Sequence, residues 1–104
     1  MWEYIFILNF MNTKISDFTD LLVWKEGHKL VLLIYKLIEN FPSREKFVLT
    51  AQLLRAVISI TSNIAEGFGR RYLAEKIQFY YIAKGSISEV RNQLLIAKDL
   101  DYIS

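Results

Sequence analysis

With 104 residues the chain has room for one domain and one modest core, and a net charge of +2 beside 53 % apolar residues excludes intrinsic disorder. The lack of cysteine excludes disulfides, thiolate metal sites and cysteine nucleophiles and fits a reducing, cytoplasmic setting, while a single histidine, His28, cannot build a histidine metal centre. A pI near 8.9 permits an anionic partner without arguing for one, and so apolar a small domain leaves surface for self-association.

The N-terminus stands apart. Residues 4–13 carry no charge. That run is too short to span a bilayer, and Glu3 without an early Lys or Arg is the wrong start for a signal peptide. Met11 offers a second start directly before "NTK". Residues 1–10 therefore read as an upstream extension or a mispredicted start; the alternative is a strand or helix packed on the domain. The expected division is an extension over residues 1–16 and a domain over residues 17–104.

A first helix is expected over residues 20–40. Trp24, Gly27, Val31, Ile34, Ile38 and Phe41 recur at steps of three and four, and Leu30, Leu33 and Leu37 widen that face. Lys25, Lys29 and Lys36 fall outside it. Asp20 is the expected N-cap, and Asn40 with Pro42 ends the helix. A second helix is expected over residues 50–68, capped by Thr50, with an extra turn after Ser43. Its face is Leu49, Leu53, Val57, Ile60, Ile64 and Phe68. A third is expected over residues 73–100, with Leu73, Ile77, Tyr80, Ala83, Ile87, Val90, Leu94 and Ala97 facing the core. Gly85 weakens that helix by about 1 kcal/mol relative to alanine, so it is expected to permit a close helix contact. Glu75 early and Lys98 late suit the helix ends. Short connections between long helices predict an all-α, antiparallel up-down bundle.

Several stretches carry a family pattern: Val23-Trp24, Leu49-Thr50, Arg55-Ala56, Ser62-Asn63-Ile64-Ala65-Glu66-Gly67, and Gly85-Ser86 with Glu89 and Gln93. In order and spacing they resemble the four-helix-bundle proteins encoded in 23S rRNA intervening sequences, over about residues 17–104. The resemblance implies a small antiparallel bundle that self-associates as a closed ring, a pentamer being the expected arrangement. It extends to a related branch, the accessory proteins of diversity-generating retroelements, which are basic pentamers that engage nucleic acid and a reverse transcriptase. The chain departs from the pattern in places. Thr61 stands where the family usually has proline, so any kink there is gentler. Tyr72 stands where a serine usually caps the third helix, and Asp101 replaces a glycine at a turn that a short polar side chain tolerates. The family usually continues past "DLDYIS" into a fourth helix, so three long helices are expected here, with the fourth missing.

Two sets of polar residues are candidates for function. Arg55, Asn63, Glu66, Glu89 and Gln93 read either as a catalytic cluster or as a buried network that fixes helix register; the second is preferred, because buried charge must be paired. Lys84, Arg91 and Lys98 are spaced by seven and form a basic line along the third helix, with Arg70 and Arg71 before its start. They could track a phosphate backbone, form a solvated face or make intersubunit ion pairs. Phe79, Tyr80 and Tyr81 read as core and oligomer contacts rather than a base-stacking platform. "EGFGRR" lacks the Gly-Lys-Ser/Thr ending and preceding strand of a phosphate loop, and reads as a helix stop in which Gly67 and Gly69 supply backbone freedom.

No catalytic, metal or cofactor motif is found, so an enzyme is not expected. The expected function is a self-associating scaffold or binding protein that contacts RNA or a ribonucleoprotein. A purely structural protein-interaction module is the alternative, and a hydrolase built on His28 and Glu26 a third.

Overall fold

The structure is a computed structural model that describes Glu3 and residues 15–104. The uncharged run over residues 4–13, and most of the expected extension, lie outside the described residues. The domain is three long helices: α1 (Leu22–Leu37), α2 (Leu49–Phe68) and α3 (Leu73–Asp99). Among the described residues there is no strand. Single 3-10 turns precede α1 (Phe18–Asp20), follow it (Ile38–Asn40) and lie in the α1–α2 connection (Ser43–Glu45), where an extra turn was expected.

The helix starts differ from expectation. Asp20 does not cap α1. Its carboxylate turns back, accepting from the backbone N–H of Ser16 (3.0 Å) and Asp17 (3.1 Å). Asp17 in turn caps the 3-10 turn by accepting from Thr19, so "DFTD" is a reciprocal capping box one element early. The backbone N–H groups of Ser16 and Asp17 also hold the Asp20 carboxyl below its ordinary range. α1 and α2 begin instead at Leu21 and Val48, without side-chain caps, and Thr50 lies inside α2.

α2 is central. α3 packs along it on one flank and α1 on the other, while among the described residues α1 and α3 hardly meet. Leu53, Val57, Ile60 and Ile64 are fully buried, each contributing about 1.5–3 kcal/mol of apolar burial. Small residues set the helix spacing. Gly27 of α1 fits against Thr61 and Ile60, and Gly67 of α2 against Phe79 and Tyr80. The close approach expected of Gly85 is not made there: a Cβ at Gly85 meets nothing within 4 Å.

α3 is also rotated from its expected orientation. Ala83, Val90 and Ala97 are buried as expected, but they are joined by Ser86 and Gln93. Leu73 and Ile77, expected in the core, are 65 % and 41 % exposed, and Leu33 of α1 is also exposed. Apolar residues lie on several sides of α3, so periodicity alone does not select its buried side.

Both ends of the α2–α3 pair are closed by polar contacts. Gly67 and Gly69 use no left-handed backbone, and Gly69 is right-handed helical. The α2 C-terminus is satisfied from α3, where the Lys76 ammonium donates to the carbonyls of Phe68 (2.6 Å) and Gly67 (3.4 Å). At the far end α3 stops as the family turn implied. Asp101 has φ 61°, its N–H donates to the Lys98 carbonyl (3.0 Å), and Tyr102 N–H donates to the Ala97 carbonyl (2.9 Å). The Tyr102 hydroxyl then donates to Glu45 (2.7 Å) and accepts from Arg44 (3.1 Å), tying the C-terminal turn to the α1–α2 connection.

Candidate nucleic-acid interface and polar seam

α3 sorts its charge by face. At 3.6 residues per turn, Lys84, Arg91 and Lys98 fall within about 40° of one another, and Glu75 and Glu89 lie roughly 160° round the helix from them. All five are exposed. Leu73, Ile77 and Leu95 share the basic sector and are exposed too.

The five candidate cations are not equivalent. Lys84 is paired with Glu3 at 3.1 Å. The Glu3 carboxyl is held below its ordinary range by its own backbone N–H first and by the Lys84 ammonium second. Arg70 is paired with Glu66 at 2.9 Å, one helical turn back, and its guanidinium lies 4.7 Å from the centre of the Phe79 ring. Arg71 lies over the Tyr72 ring at 5.6 Å. Arg91 and Lys98 have no ion pair among the described residues. Phe79 and Tyr80 are half-buried, as a packing role requires, whereas Tyr81 is 68 % exposed.

The expected buried network is not formed within the chain. Arg55, Glu66 and Glu89 are exposed. Glu66 spends its charge on Arg70 instead. The polar link across the seam is a bond between two serines that the sequence reading did not place in the network, supported from within α2 by Asn63. Asn63 Nδ2 donates to the Ser59 carbonyl (2.7 Å) and hydroxyl (2.9 Å), and the Ser86 hydroxyl bonds that of Ser59 (2.8 Å). Gln93 is buried on the same face of α3, and among the described residues its Oε1 has no hydrogen-bond partner. Ser86 falls on the three-four rhythm of Ala83, Val90, Gln93 and Ala97, where a hydroxyl can bond a partner helix, whereas Ser59 lies off the apolar stripe of α2 and spacing gave no signal for it.

His28 and Glu26 do not form a catalytic pair. Two residues apart on a helix, they point away from each other. His28 stacks on Trp24 (4.7 Å), and Glu26 pairs with Lys29 (3.4 Å). Among the described residues no group of three His, Asp or Glu is placed to hold a metal ion, and no helix is long and apolar enough to cross a membrane.

The fold and the signature stretches can be set beside known proteins. No curated protein matches the chain. A family model, that of the 23S rRNA-intervening sequence protein, matches residues 19–104, which takes in all three helices, the serine-asparagine seam and the basic line. The chain therefore belongs to the 23S rRNA-intervening sequence protein family.

Proposed function

We propose that the protein is a non-enzymatic, self-associating helical scaffold of the cytoplasm that contacts RNA or a ribonucleoprotein through the basic side of α3. The observation that carries this reading is the sorting of α3 into a side with Lys84, Arg91 and Lys98 and an opposite side with Glu75 and Glu89. Opposed charge on opposite sides of one rod suits head-to-tail association, which closes into rings. The family resemblance favours a pentamer. Exposed Leu73, Ile77 and Leu95 beside the cations add apolar area to such a contact.

The test is the native mass of the pure chain with and without RNA. The expected result is a multiple of the 12.2 kDa chain mass that rises further when RNA is added at low salt. A mass of one chain under both conditions would sink the proposal. A multiple that ignores RNA would leave the second reading, a protein-interaction module. That reading is favoured by Arg70 and Lys84, whose charges are already met by Glu66 and Glu3.

A further inference from the structure

We propose that the outer side of α1 is a second surface for single-stranded nucleic acid, on which an unpaired base stacks on His28 while Lys25, Lys29 and Lys36 meet the phosphates. The inference rests on the reading that the chain meets RNA, and it adds a surface on a different helix from the basic side of α3.

α1 turns Val23, Gly27 and Ile34 inward, where they are buried. What faces away from the core sorts into two lines. At 3.6 residues per turn, Lys25, Lys29 and Lys36 fall within about 40° of one another, and Trp24, His28 and Tyr35 form a second line roughly 100° round the helix. The three lysines, His28 and Tyr35 are exposed. Within α1 these lysines stand against a single carboxylate, that of Glu26, which lies 3.4 Å from Lys29. Lys25 is attracted to Asp20, just before the helix, and Lys36 has no ion pair among the described residues. The charge left over is positive, which complements a phosphate backbone.

The second line carries a ring stack that ends in solvent. Trp24 is half-buried against the core, and the Phe18 ring meets it edge-on at 5.5 Å. His28 lies flat on Trp24, with ring centres 4.7 Å apart and planes 13° from parallel. The imidazole is therefore held in one orientation before any ligand arrives, and the cost of ordering it falls on folding rather than on binding. Among the described residues no further ring lies on His28. A flat, fixed ring at the surface beside cations is the arrangement that unpaired bases use, because every base has a π-face whatever its sequence. Trp24 itself is held by Phe18, His28 and the core, so it is not free to enter a lipid interface.

His28 is the chain's one histidine, so its ring protons are identified without assignment. Short oligoadenylate added to the full chain at low salt is expected to move them upfield, as the ring current of a stacked base requires. An abasic strand of the same length carries the phosphates without the bases and should leave them near their places. His28→Ala should weaken oligoadenylate binding about fivefold or more, the lower end for one stacked base, while hardly affecting the abasic strand; His28→Phe should restore it. Lys36→Gln should weaken both strands and flatten the salt dependence by about 0.7 in log–log slope. A His28 signal that responds alike to both strands, or His28→Ala that binds oligoadenylate as the parent chain does, overturns the inference and leaves the α3 surface standing. Binding to phosphatidylserine vesicles but to neither strand assigns the face to a lipid surface and overturns it too. No binding of either strand sinks it as well, and the native mass with and without RNA then decides the α3 reading separately.

Discussion

A methyl group added at Gly67 would lie 3.0 Å from Phe79 Cβ, 3.0 Å from Tyr80 Cε1 and 3.3 Å from the Lys76 carbonyl oxygen; one added at Gly85 would meet nothing within 4 Å. Gly67→Ala forces two helices apart, and overpacking of this kind costs roughly 1–3 kcal/mol, offset in part by about 1 kcal/mol of helix propensity. Gly85→Ala takes the propensity gain alone, so the chain should become more stable by about 0.5–1 kcal/mol. Urea unfolding of both variants checks the pair, and equal effects of the same sign would contradict the packing described here. The sequence reading assigned the close contact to Gly85 because a glycine inside a helix announces its propensity cost, not its neighbours. What separates the two is which side of α3 meets α2, and that depends on side chains of both helices. Gln93 was placed in a buried polar set and is buried, yet Oε1 has no partner among the described residues. A side chain's burial could be read from spacing, but its hydrogen-bond partner could not.

The helix interiors were more legible than their ends. The α2 face of Leu49, Leu53, Val57, Ile60 and Ile64 is buried as its spacing predicts, because one apolar stripe dominates that helix. The caps were harder, since an acidic or hydroxyl residue near a helix start has several N–H groups within reach. Asp20 serves the turn behind it, and Thr50 lies within the first turn of α2. The C-terminal contact made by Lys76 was invisible, because it joins α3 to the last carbonyls of α2 across the intervening turn. Lys76→Met keeps most of the aliphatic stem and removes the ammonium. A charged hydrogen bond at a half-buried helix end contributes about 1–2 kcal/mol, and unfolding experiments should show a loss of that size. The family turn at Asp101 was legible, and φ 61° tells what it costs. Asp101→Gly removes left-handed strain, so a gain of about 1 kcal/mol or less is expected in the same assay. A loss would mean that the carboxylate does more than tolerate the turn.

At the scale of the whole molecule, a spacing of seven in the sequence placed Lys84, Arg91 and Lys98 on one side of α3, and they do lie there, about 10 Å apart along the axis. What spacing could not give is which of them are already spoken for. Glu66 lies four residues before Arg70, a pairing that helix geometry makes readable; Glu3 is 81 residues from Lys84, and only the fold brings them together. The two kinds of cation should therefore behave differently toward a polyanion. Replacing Arg91 or Lys98 with Glu removes a charge that has no ion pair among the described residues. If RNA lies along this side, each should weaken binding at low salt and flatten its salt dependence by about 0.7 in log–log slope, the share of one phosphate contact to a single strand. Arg70→Glu places a second carboxylate beside Glu66, and Lys84→Glu does the same beside Glu3. The cations lost there were already neutralised, so any weakening comes from repulsion rather than from a surrendered phosphate contact, and the slope should change less. Measuring slopes as well as affinities keeps the two effects apart. Equal slopes for all four variants and the parent chain would mean that this side of α3 makes no phosphate contact, and its cations would then be ion-pair donors to a protein surface.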